Sequence, residues 1–355
     1  MLEIAQIKNN QERTIAGLKK RGIKEAASLI NEVLAVDDER KNVQGKRDSA
    51  LAEANTLAKE IGQLMQSGEK EKANSIKEKT ALLKVESKTL GDSVVELEKK
   101  LKDLLYNIPN VPNEDVPEGK GADDNVVVHE FGQEPKLYDG AKPHWELIKQ
   151  YDIIDFELGN KVTGAGFPFY KGKGARLQRA MVNFFLDEGQ KAGYNEVQTP
   201  IMINEDSGYG TGQLPDKEGQ MYHATADNLF MIPTAEVPIT NMYRDVIVNV
   251  KDLPIKHVGF TPCFRREAGS WGAHVRGLNR LHQFDKVEIV QVHHPENSYL
   301  ALKAMCLHVQ GLLEKLGLQY RVLNLCGGDM GFTSAQTFDM EVYSAAQEKW
   351  LEVSS

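Results

Sequence analysis

The sequence predicts an α+β chain: an N-terminal antiparallel α-helical coiled-coil arm, then an antiparallel β-sheet domain flanked by helices. Three observations predict it. Residues from about 38 to 105 contain no proline and are dominated by Lys, Glu, Ala and Leu. The stretch "NIPNVPNEDVPEGKGADDN" (107–125) then concentrates prolines and turn formers, the signature of a linker. Beyond it strands outnumber helices, and several follow one another directly, which favours antiparallel pairing.

The arm is read from its period. Val43, Ala50, Leu57 and Leu64 recur every seven residues, with Arg47, Ala54 and Ile61 between them. The rhythm resumes as Ile76, Thr80, Leu83, Ser87, Leu90, Val94, Leu97, Leu101 and Leu104. Alternating steps of three and four are the coiled-coil repeat. The breaker at Ser67-Gly68 is too short for a linker, so the two helices fold back on each other. An arm from 38 to 66 would reach roughly 40 Å at about 1.5 Å per residue. A dimerising coiled coil, a solvated helix pair and a partner-binding arm all fit this pattern. The domains are therefore expected at 1–106, with the hairpin over about 38–105, a linker at 107–125 and a sheet domain at 126–355.

In the second half, "ARLQRAMVNFFLDEGQKAG" (175–193) is an amphipathic helix stopped by glycine. "YNEVQTPIMI" reads as a strand interrupted by Pro200, which lacks a ladder donor and belongs at an edge or interface. "NLFMIPTAEVPITNMY" (228–243) reads as strand, turn and helix. "IKHVGFTPCFRREA" and "LNRLHQFDKVEIVQV" are two strands joined by a glycine-rich loop. A helix over 298–317, a strand "YRVLNLC" and two strands within "TFDMEVYSAAQEKWLEVSS" complete the order.

Composition narrows the function. A net charge of −8 argues against a general polyanion binder, though not against a locally basic site. Cys263, Cys306 and Cys326 form no CxxC pair, so neither a disulfide framework nor a zinc site is expected. With no signal-peptide core and no membrane-length apolar run, a cytoplasmic address and no membrane partner are expected. Walker, GxGxxG, GxSxG and HExxH patterns are all absent. "YKGKGARL" (170–177) reads as a turn into the helix that follows, and His293-His294 as a solvated pair.

The hairpin at 263–289 carries the most chemistry. Period-two alternation puts His282, Phe284, Lys286 and Glu288 on one face of the second strand, and Arg265 with Glu267 on one face of the first. A guanidinium, an aromatic ring and carboxylates on one surface suit a ligand with a phosphate, a flat base and an amine. A solvated ladder of cross-strand ion pairs fits the same composition.

The blocks "GTGQLP" (210–215), "PTAEVP" (233–238), "TPCFRREAGS" (261–270), "RGLNRLHQFDKVEIVQ" (276–291), "GDMGFTSAQTFDMEV" and "LEVSS" decide between them. Together with the arm, they resemble bacterial-type seryl-tRNA synthetases, a class II family, over the whole chain. The resemblance implies a serine–tRNA ligase that uses ATP and Mg²⁺, without zinc. Arg265 and Arg280 would be catalytic, on the α- and γ-phosphates. Arg266, Glu267, Phe284, Glu352, Val353, Ser354 and Ser355 would complete the ATP site, with Phe284 stacking on adenine. Thr234, Ala235, Glu236, Arg265 and Glu288 would bind L-serine. Glu352 and Ser355 would meet the Mg²⁺ that accompanies ATP.

The same resemblance implies that the arm grips the long variable arm of serine tRNA, with selenocysteine tRNA as a second partner. It also implies a homodimer through motif 1 near Pro200. Two positions depart from the family pattern: Arg266, where a small residue is usual, and Ala273-His274, where a basic-acidic pair is usual. The family's motif 3 and its serine-hydroxyl reader fall beyond Ser355. The expectation is therefore a fragment of a longer enzyme or, alternatively, a synthetase-like tRNA-binding protein without activation activity.

Overall fold

The computed structural model describes residues 2–268 and 276–355. The chain forms two compact units. One takes the residues up to Asp124 together with Cys326–Gln336; the other takes Asn125–Leu325 and Thr337–Ser355.

The first unit is helical: α1 (Ile4–Asn9), α2 (Gln11–Lys20), α3 (Ala26–Gln66) and α4 (Lys70–Tyr106). At 41 residues α3 is about 60 Å long. It begins at Ala26, ahead of the residue 38 read from the sequence, because Ala26, Ile30, Val33 and Val36 bury a stripe against Ile7, Leu18, Leu101 and Leu105. The turn comes at Ser67-Gly68, where Gly68 takes φ +85° and Glu69 N–H returns to the Leu64 carbonyl at 3.0 Å. Every seam position read from the heptads is buried or half-buried, with Ala50, Ala54, Thr80, Val94 and Leu101 the most enclosed. Arg47 fits the seam because Gly91 on α4 leaves room for its stem, while its guanidinium donates to Asp48 at 3.0 and 3.1 Å.

The base of the arm is held by a buried charge. Asp37 is 1% exposed and lies 3.0 Å from Lys8, 3.0 Å from Arg40 and 2.8 Å from Lys41. Burial opposes its ionisation, but the three cations overcome that and hold its carboxyl far below the usual range. The proline-rich stretch folds onto this unit through distant chain: Asn110 N–H donates to the Phe332 carbonyl (2.9 Å), Gly327 N–H to Pro117 (2.9 Å) and Lys20 Nζ to Val116 (2.7 Å).

The second unit contains β1 (Val126–Phe131), α5 (His144–Gln150), β2 (Ile154–Asp155), α6 (Phe156–Val162), β3 (Phe169–Tyr170) and α7 (Gly172–Lys191). Next come β4 (Asn195–Glu196), β5 (Met202–Ile203), α8 (Glu205–Gly210), β6 (His223–Ala224), β7 (Leu229–Met231) and α9 (Glu236–Asn241). The order closes with β8 (Ile255–Phe264), β9 (Gln283–Val292), α10 (Ser298–Lys315), β10 (Tyr320–Asn324), β11 (Phe338–Ser344) and β12 (Lys349–Ser354). The sheets run β1-β10-β11-β12, β4-β8-β9, β5-β7-β6 and β2-β3.

The pairing is antiparallel except between β4 and β8, which run parallel. The single strand read across Pro200 is two short strands in different sheets, because the extended chain crosses from β8 to β7 at that proline. Helix α10 packs through Leu313 onto Tyr320, Val322 and Met340. Among the described residues, no helix is long and apolar enough to cross a membrane.

Candidate active site

The longest ladder in the second unit, β8 with β9, sets the site. Its register pairs Cys263 with Phe284 and Gly259 with Glu288. Phe284, Lys286 and Glu288 therefore share one face at two-residue steps. Strand β8 ends at Phe264, short of the sequence reading through Ala268. The reason is backbone: Glu267 takes φ 48°, in the left-handed region, and a strand cannot pass through it.

Around that break the nucleotide-type groups converge. Arg265 N–H donates to the His282 carbonyl at 2.9 Å, and its guanidinium lies 5.1 Å from the centroid of Phe284. Across the hairpin, Arg280 Nε donates to Glu267 Oε2 at 2.9 Å. Arg266 points outward and is exposed; its N–H donates to the Gln220 carbonyl at 2.9 Å.

The second cluster lies two turns of the pleat along β9. The carbonyl of Ile232 accepts from Phe264 N–H at 2.8 Å, which aligns the 233–236 turn with the end of β8. Thr234 is buried and donates its hydroxyl to Glu288 Oε2 at 2.7 Å, while Lys286 Nζ reaches the same hydroxyl and the same carboxylate at 3.2 Å. Ala235 is fully buried, and Glu236 opens α9, its N–H 3.3 Å from Thr234 Oγ1. Glu236 keeps contact with water yet sits deep among protein atoms. That desolvation, then the charge of Glu288, pushes its carboxyl pKa upward against the pull of Lys286. Two carboxylates that feel each other's charge are a pair that an ammonium group could bridge.

Sequence reasoning gave Lys286 and Gly259 no role. Lys286 bridges the two site carboxylates' surroundings, and alternation had already put it on the right face. Gly259 lies under α9: a methyl there would stand 2.9 Å from the Val197 carbonyl oxygen and 3.1 Å from Ile239 Cδ1. Its bare backbone lets α9, and hence Glu236, approach the sheet.

The C-terminal residues lie on and just after β12. Glu352 is exposed on β12, paired with Glu341; Val353 and Ser354 finish that edge strand, and Ser355 follows it. None of the described hydrogen bonds or ion pairs joins them to Arg265, Phe284 or Glu288. Ala273 and His274 lie outside the described residues.

Residues 1–112 match the seryl-tRNA synthetase N-terminal domain, and residues 221–355 match the class II tRNA synthetase core domain (G, H, P, S and T). The serine–tRNA ligase of Salinibacter ruber is 45% identical over 355 residues, covering 100% of this chain and 83% of that protein. The chain belongs to the seryl-tRNA synthetase family. A serine–tRNA ligase of Akkermansia muciniphila is 42% identical over 363 residues, again with 100% and 83% coverage. The crystal structure of seryl-tRNA synthetase from Pyrococcus horikoshii complexed with ATP superposes with a TM-score of 0.91 at 31% identity, over 99% of this chain and 83% of that one.

Proposed function

We propose that this chain carries the serine-activating site of a serine–tRNA ligase: it condenses L-serine with ATP to seryl-adenylate and passes the seryl group to serine tRNA. One observation carries the reading. A single face of β9 presents Phe284 beneath Arg265 at one end and Glu288 beside Thr234 at the other. A flat base with its phosphates and a small amino acid then lie side by side.

In this reading Phe284 stacks on adenine, Arg265 grips the α-phosphate and Arg280 the γ-phosphate, with Glu267 holding the hairpin around the nucleotide. Glu288 and Glu236 face the ammonium of serine, and Thr234 fixes the Glu288 carboxylate. A serine carboxylate oxygen attacks the α-phosphorus and pyrophosphate leaves. No protein nucleophile is needed: the guanidinium groups position the reactants and offset the charge that builds on the phosphate oxygens. A terminal ribose hydroxyl of the tRNA then attacks the seryl carbonyl, and AMP departs.

Mg²⁺ characteristically binds through one or two carboxylates and substrate phosphates. The exposed Glu352 carboxylate with the Ser355 hydroxyl fits such a shared ion, whose chemistry is to neutralise phosphate charge. The helical arm (α3 and α4) is proposed to hold the variable arm of serine tRNA, and selenocysteine tRNA by the same shape. A homodimer through the exposed Pro200 region and a cytoplasmic address complete the proposal. The test is serine-dependent ATP–pyrophosphate exchange. Incorporation of label into ATP with serine, and not with alanine, supports the reading; equal exchange with both would refute it.

A further inference from the structure

Four consecutive residues on the return limb of the β8–β9 hairpin are each engaged by a side chain from elsewhere in the unit. The Arg276 guanidinium lies 4.7 Å from the centroid of the Trp145 ring. Gly277 takes φ +68°, and a methyl there would stand 2.2 Å from His144 Nε2, so the imidazole packs directly on bare backbone. Leu278 N–H donates to His144 Nε2 at 2.8 Å. Asn279 Nδ2 donates to Gln347 Oε1 at 2.9 Å. Gln347 Nε2 also donates to Ser344 Oγ at 3.1 Å. The next residue in the chain is Arg280.

We propose that His144 and Gln347 are positioning residues for the nucleotide: they fix 276–279 so that Arg280 meets the phosphate end of ATP in a set place. The inference rests on the reading of Arg280 as a phosphate ligand. A long arginine side chain loses much rotamer freedom on binding, so a fixed backbone beneath it lowers the cost of placing it. Displacement of such a group by about 1 Å is enough to slow catalysis roughly 100-fold. Gln347 belongs to the turn between β11 and β12, so the same contact ties the hairpin to the strand that carries Glu352.

The contact also fixes a protonation state. Nε2 must be an acceptor, so the ring is neutral with its proton on Nδ1. Burial, and then the charge of Lys349 on β12, lower the His144 pKa from its ordinary 6.5. Lys349 and Arg276, the latter stacked on the adjacent Trp145, are the charged neighbours; both are cations. Acidification below the lowered value turns the acceptor into a donor facing another donor.

The experiment uses the full-length protein and its His144→Leu, His144→Gln and Gln347→Leu variants. Calorimetric binding of ATP and the KM for ATP in exchange should both weaken about tenfold in His144→Leu, with the serine KM within twofold of wild type. His144→Gln, which accepts without titrating, should restore ATP binding and flatten the acid limb of kcat/KM for ATP. Hydrogen exchange at 276–281 should rise in His144→Leu and not in His144→Gln. If His144→Leu does not fold, Gln347→Leu gives the same readouts from the other side of the loop. Wild-type ATP affinity in both leucine variants overturns the proposal. ATP binding without serine-dependent exchange in the wild type would sink the ligase reading while the variants still decide this one.

Discussion

Thr234 donates its hydroxyl hydrogen to Glu288 at 2.7 Å, joining the turn before α9 to the middle of β9 across 54 residues of sequence. The bond orients a carboxylate whose charge is felt by Glu236, and Lys286 completes the group at 3.2 Å. A hydrogen bond to a charged acceptor is worth about 1.5–3 kcal/mol. Thr234→Val should therefore raise the KM for serine roughly 10- to 150-fold, at about 1.4 kcal/mol per tenfold. The ATP KM should barely move. Steady-state exchange with each substrate varied in turn separates the two effects.

At the other end of the strand, Phe284→Ala should produce the complementary pattern. Stacking a base on an aromatic ring contributes about 1–3 kcal/mol, so ATP binding should weaken roughly 5- to 150-fold. Arg265 now lies over that ring and would lose its support as well. Calorimetric titration of ATP reads this directly. Unchanged affinity would place the adenine elsewhere.

Asp37 makes the stability of the helical unit depend on acid. Its carboxyl is held far below the ordinary 3.8 by Lys41, Lys8 and Arg40, so the folded state binds fewer protons than the unfolded one. The stabilisation is complete above the unfolded value, near 3.8, and drains away as pH falls below it toward the folded value. Asp37→Ala should remove it at every pH. Lys41 is 55% exposed and Lys8 33%, so solvent screening holds the loss to about 1–3 kcal/mol, below that of a fully buried pair. Urea unfolding followed by helical circular dichroism at pH 7 and pH 3 measures the loss and its decline, which is only partial at pH 3 because the folded carboxyl titrates lower still.

Gly259→Ala tests the close approach of α9. The added methyl would press on the Val197 carbonyl, which cannot rotate away as a side chain can. Overpacking of this kind costs about 1–3 kcal/mol. A fall in thermal stability accompanied by a raised serine KM would show that α9 and Glu236 have shifted; a serine KM at the wild-type value would contradict that coupling.

Part of this fold is legible in the sequence, for physical reasons. The seam of the arm follows from a period, and burial at Ala50, Ala54, Val94 and Leu101 tracks it. Phe284 and Glu288 stood out because strand alternation put an aromatic ring and a carboxylate on one surface, whereas Thr234 and Glu236 came from the family resemblance of the "PTAEVP" block. The ends of elements were less legible: α3 starts early because its first turns pack on α1 and α2, a tertiary contact with no local signal. The hold of Cys326–Gln336 on the helical unit, the space under Gly259 and the grip of His144 on Leu278 join residues far apart in the chain. No spacing rule in a single sequence reports such pairs.

The most direct test of the central claim is serine-dependent ATP–pyrophosphate exchange by the wild-type protein beside Glu288→Ala. The shared face of β9 requires the substitution to strip the serine ammonium of its Glu288 partner, a loss of about 3–5 kcal/mol, so exchange should fall roughly 150- to 5,000-fold while ATP still binds. Exchange at the wild-type rate in Glu288→Ala would contradict the account.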